Sequence, residues 1–148
     1  MADVVFNIAK GRIAELAALG AANDALIAVP IETSGIESDA TLVDYDTLAA
    51  VLAAANNEQT SNMTRKTLAS VTVTVDDTNN RVDVDAADIT WTAATGNAIS
   101  ALIICYDADT TGGTDSNMVP LVKLDCVATP SGGDITYQVA SGGFFRAS

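Results

Sequence analysis

The spacing of apolar side chains changes along this chain, and the change divides it. From Val71 the sequence reads VTVTV (71–75), breaks at DDTNN (76–80) and resumes as RVDVD (81–85). Alternation at period two predicts two strands joined by an Asp/Asn turn, with Val71, Val73, Val75, Val82 and Val84 on one buried face. ITWTA (89–93) keeps the habit and sets Trp91 on the face opposite Thr90 and Thr92. ISALIICY (99–106) is apolar throughout, as a central strand covered on both faces would be. MVPLVKLDCVAT (118–129) alternates Val122, Leu124 and Cys126 against Leu121, Lys123 and Asp125, and a last strand, DITYQVA (134–140), follows the turn PSGG.

The first third reads differently. Val4, Phe6 and Ile8 alternate like a strand, while Ile13, Leu16, Ala17 and Leu19 keep helical spacing up to Gly20, so both an extended arm and a helix stay open there. ALIAVPIETSG (25–35) is a short apolar run whose Pro30 suits an edge strand or the end of one. SDATLVDYDTLAAVLAAANN predicts a helix over 38–57, with Ser38 or Asp39 as cap, Asp44 and Asp46 in its early turns, and Leu48, Val51, Leu52 and Ala55 as its apolar stripe. The sum is a mainly β protein: a single β-sandwich or barrel-like domain over residues 1–148, with about six strands and one or two short helices in the N-terminal half. Its β core spans 68–140, flanked by a possible contact arm at 1–12 and a C-terminal tail at 141–148.

Charge and composition narrow the function classes. A formal net charge of −12, with only seven Lys and Arg scattered along 148 residues, argues against a nucleic-acid groove or an anionic membrane surface. Histidine is absent, which removes imidazole bases, His-dependent triads and the commonest zinc ligand. The start MADVVFNIAKGRIAEL lacks the form of a signal peptide, and no run approaches the roughly 20 apolar residues of a membrane span, so a soluble protein is expected. Cys105 and Cys126 lie on either side of an acidic loop; a hairpin centred near Gly112 would set Cys105 opposite a residue near Val119 rather than Cys126, so two free buried thiols are expected.

That loop, CYDADTTGGTDSN (105–117), has the look of a calcium site. Taking Asp107 as the first ligand places Asp109, Thr111 and Gly112 as an EF-hand loop requires, but Met118 stands where the bidentate Glu should be, and the flanks are strands. A solvated turn is the stronger reading; a different calcium site built from Asp107, Asp109 and Asp115 is the weaker one, and it would fit a calcium-dependent glycan-binding module. Neither a carboxylate pair set in an apolar pocket nor a cysteine with a base partner stands out, so neither an enzyme nor a cofactor is expected.

Five blocks, VFNIAKGRIAEL, SDATLVDYDTLAAVLAAANN, DDTNNRVDVDAADITWTAA, LIICYDADTTGGTDSNMVPL and GGFFRAS, together resemble a family of small virion structural proteins of tailed bacteriophages. The resemblance spans nearly the whole chain and departs from it around the alanine-rich segment 17–25. It implies a place in the virion, assembled in the host cytoplasm, most like a capsid cement or decoration protein; a tail or head-tail connector subunit is the alternative. The implied partners are the major capsid protein and further copies of the same chain. Candidate contact residues are Val4, Phe6 and Ile8 at one end, which could extend a neighbour's sheet, and Phe144, Phe145 and Arg146 at the other, behind Gly142 and Gly143.

Overall fold

The computed structural model describes residues 2–148 and is mainly β, with 35% of residues in strands and 12% in helices, an arrangement compatible with a β-sandwich. In chain order the elements are β1 (Val4–Val5), a 3-10 turn (Asn7–Ala9), α1 (Ile13–Ala17), β2 (Ala25–Glu32), α2 (Asp39–Leu42), α3 (Leu48–Ala53) and β3 (Lys66–Thr67). They continue as β4 (Thr72–Asp76), β5 (Arg81–Asp85), β6 (Ile89–Trp91), β7 (Ile99–Asp107), β8 (Val119–Ala128), β9 (Ile135–Tyr137) and β10 (Phe145–Ala147). Three sheets result, ordered β1-β8-β7-β2-β3, β10-β5-β4 and β6-β9. The described residues form ten strands rather than about six: besides the six between 72 and 137, β2, the two-residue β3 and the short β1 and β10 at the two ends also pair.

The uninterrupted apolar run does become the middle of the largest sheet. β7 pairs antiparallel with β2 on one side and β8 on the other, and every residue from Ile99 to Cys105 is buried. β8 is also buried on both faces, including Lys123, which has no exposed surface. β2 is second from the edge rather than at it. Pro30 is tolerated because its carbonyl accepts from Gln59 N at 2.9 Å; backbone N and O of one residue point the same way in a strand, so the missing N–H faces that outer segment and not β7.

The expected helix over 38–57 breaks into α2 and α3. Asp44 N and Tyr45 N close tight turns on Thr41 O and Leu42 O, and the Asp44 carboxylate accepts from Asn7 Nδ2 at 2.6 Å, which holds the chain out of the helical path. Thr47, extended at φ −139 and ψ 153, then starts a new helix by accepting from Ala50 N through its hydroxyl. Asn56 ends the segment as a buried, fully engaged amide: it donates to Glu37 Oε2 and Val51 O and accepts from Glu37 N.

The β core is likewise wider than 68–140, since β1, β2 and β3 from the first half complete the main sheet. The valine hairpin forms as expected, and its register sets Val73 opposite Val84 and Val75 opposite Val82. Its shared face is buried only at one end: Val84 is fully covered where α1 packs across the two strands, whereas Val75 is 65% exposed. The turn itself follows local chemistry, with Asp76 accepting from the backbone and side chain of Asn79.

Both ends fold onto the body. Residues 1–12, expected as a contact arm, hold β1 against β8, with Val4 opposite Lys123 and Phe6 sealed in the core. The tail 141–148 contains β10, which pairs with β5, Phe145 opposite Val84. Gly143, at φ +83, makes this possible: a Cβ there would run into the Val84 carbonyl. Gly143→Ala is therefore expected to destabilise the protein by about 1–3 kcal/mol, and thermal unfolding should show a lower Tm together with loss of β10 protection in amide exchange.

Candidate docking surface

The acidic loop is a structured turn. Asp107 Oδ1 accepts from Asp109 N, and the Asp109 carboxylate accepts from both the backbone and hydroxyl of Thr111, a bond that holds its pKa below the usual carboxylate value. Asp115 is committed elsewhere: Arg65 donates to its two oxygens at 2.6 and 3.0 Å, and to both oxygens of Glu58 at 2.7 Å. Asp107, Asp109 and Asp115 are thus not brought together, and among the described residues no three acidic or thiol side chains converge as metal ligands.

Arg65 consequently acts as a clamp. It ties the loop after β7 to Glu58, whose residue bridges Ile31 of β2, while Ala49 N donates to Asp115 O and Leu48 N to Met118 O. The Arg65 hydrogen bond is the main reason the Asp115 carboxyl titrates below its ordinary value near 3.8. Lys123 is the second clamp. Its ammonium is buried but donates to Asp39 at 2.8 Å and to Asp125 at 3.0 Å, and the first of these bonds depresses the Asp39 pKa. Neither clamp was read from the sequence. A lone Lys123 inside an otherwise apolar run was the available signal, because a charge in such a place must be paired; Arg65 carries no comparable local mark.

The thiols are unpaired and buried, as expected. Cys105 lies opposite Pro120, next to Val119 as expected and well away from Cys126, with a register shift between Ile104 and Cys105. Burial pushes the Cys105 thiol well above its ordinary range and Cys126 up to about 11.

The candidate contact residues divide. Phe6 is core, and Ile8 is half-buried against it. Val4 from β1, however, meets Phe144, Phe145 and Arg146 around β10 in one recess of about 150 Å3, completed by Asp3, Val5, Val122 and Leu124. Two segments at opposite ends of the sequence therefore build one patch, in which apolar side chains from both lie beside the charged Asp3 and Arg146. Arg146 is held there by donating to Asp83 on β5. A second apolar surface lies at the hairpin tip, where Val75, Val82 and Ala147 line a groove of about 380 Å3.

Two measurements test this account. Asp115→Asn should lower Tm at neutral pH, a destabilisation of about 1 kcal/mol because the ion pair is partly open to water. Because the folded carboxyl titrates below the unfolded one, that contribution is present above about pH 4 and is lost as pH falls through the depressed value, so the Tm gap between wild type and variant should close in the same direction. Native protein should leave both thiols unmodified by a maleimide at pH 8 over minutes, and denaturant should release two. Comparison with protein-family models, curated proteins and solved structures finds no match to this chain, and the reading of the surface rests on its residues.

Proposed function

We propose that this protein is a structural component of a tailed-bacteriophage virion, a cement or decoration protein that binds the outside of the head where major capsid protein subunits meet. The sequence blocks that resemble that family supply the biological setting. The observation that carries the binding role is the convergence of both chain ends on one recess: β1 contributes Val4 and Val5, and the turn into β10 contributes Phe144 and Phe145.

The physical case follows from how such a protein works. A cement protein must present a preformed patch, because any ordering on binding subtracts from affinity. Here each contributing segment is a strand locked to a larger sheet, β1 to β8 and β10 to β5, so the patch is rigid before contact. Half-buried aromatic side chains beside a guanidinium are the composition that anchors interfaces. The strong negative charge of the chain favours a basic footprint on the shell and steers the approach to it. Repetition across a symmetric shell then converts modest contacts into durable attachment.

An image of the intact particle is expected to show density for this chain on the outer head surface, in a copy number set by the shell's symmetry. Purified protein should add back to heads lacking it, and Phe144→Ala should weaken that binding at least tenfold while Ser131→Asp, on the exposed turn after β8, should not. Val4→Asp serves the same purpose where Phe144→Ala lowers Tm too far for comparison. Density confined to the tail, absence from purified particles, or full-strength binding by folded Phe144→Ala would each overturn the proposal.

A further inference from the structure

The outer side of β4 is the second surface the fold leaves available. β4 ends the order β10-β5-β4, and among the described residues no backbone group bonds to its outer side. Such an edge is ordinarily protected by lysine, proline, a bulge or a covering loop. β4 carries neither lysine nor proline, and its pairing with β5 runs without a register shift from Thr72–Asp85 to Asp76–Arg81. Beside it, Val75 is one of only two large apolar side chains left exposed among the described residues, and it opens onto the groove shared with Val82 and Ala147.

We propose that this edge pairs with the same edge of a second copy, β4 against β4 antiparallel, about a two-fold axis through Thr74. The sequence of the strand selects that occupant. Thr72-Val73-Thr74-Val75-Asp76 is nearly symmetric about its centre, so self-pairing places Val73 opposite Val75 twice, Thr74 opposite Thr74, and Asp76 opposite Thr72. All valines then lie on one face and all polar residues on the other, and the two three-stranded sheets become continuous. No like charges meet across the axis, because Asp76 faces threonine and is already held by Asn79 and Arg81. Each exposed Val75 gains as neighbour the partner's Val73, which belongs to the row that α1 roofs. Centring on Val75 fits less well because it brings Asp77 opposite Val73 and Asp76 opposite Thr74; centring on Val73 pairs Val75 with Val71, outside the strand, and Asp76 with Ser70, whose φ of +54 has already left the extended path.

The inference does not depend on the capsid reading, since it concerns purified protein with no shell present. Sedimentation of wild type should give a dimer, twice the 15.1 kDa chain mass, and the dissociation constant should fall as salt is raised, because two chains of net charge −12 repel. Thr74→Lys, which sets two ammonium groups against each other at the axis, should give a monomer with the wild-type circular dichroism spectrum. Under mild oxidation Thr74→Cys should form an interchain disulfide, the paired Cβ atoms lying about 4.5–5.5 Å apart, whereas Thr72→Cys should not. A wild type that stays monomeric at millimolar concentration and high salt, a dimer undisturbed by Thr74→Lys, or equal cross-linking at positions 72 and 74 would overturn the proposal.

Discussion

Burial of β7 on both faces and along both edges is the constraint from which the rest of the structure follows. A strand with no exposed residue from Ile99 to Cys105 needs hydrogen-bonded neighbours on each side and an apolar layer above and below. Each fully covered Leu, Ile or Val in it contributes roughly 1.5–3 kcal/mol. The neighbours β2 and β8 are buried for the same reason, the 3-10 turn packs on β8, and α1 packs on the hairpin of β4 and β5. Small helices suffice because they lie over a sheet whose strands already satisfy their own backbone groups.

An acidic chain with few cations places them where they hold elements together. Arg65 joins Glu58 to Asp115, Lys123 joins Asp39 to Asp125, and Arg81 and Arg146 flank Asp83 on the outer face of the small sheet. Lys123 is the instructive case. Burial of its ammonium would be costly alone, but two carboxylates with partial access to water receive it, so the covered charge is the one that is doubly paired. Because these cations are committed internally, the exterior is left with a large negative excess. Any partner must therefore offer positive charge, or meet the protein through an uncharged strip such as Thr72 to Val75.

The available surfaces are both made by pairing between distant parts of the chain. Val4 and Phe144 are neighbours only because β1 joins one sheet and β10 another, and the two sheets meet at that corner. The hairpin tip gains its third apolar residue, Ala147, in the same way. Rigid strands at the termini are what allow a small domain to present composite patches without ordering a loop on contact.

The sequence by itself determined the mainly β class, the valine hairpin, the covered central strand, the free thiols and the turn character of the acidic loop. All of these depend on local periodicity or on side chains bonding a few residues away, as Asp109 does with Thr111. Tertiary structure alone decided the break between α2 and α3, the pairing of both ends, the place of β2 inside the sheet and the two cation clamps. In each case the deciding partner lies far along the chain: Asn7 for Asp44, Val84 for Phe145, β7 for β2, Arg65 for Asp115. Periodicity states which face of a segment is apolar, but not which neighbour will cover it. That choice is made by the packed core as a whole, when every edge and buried charge finds its partner at once.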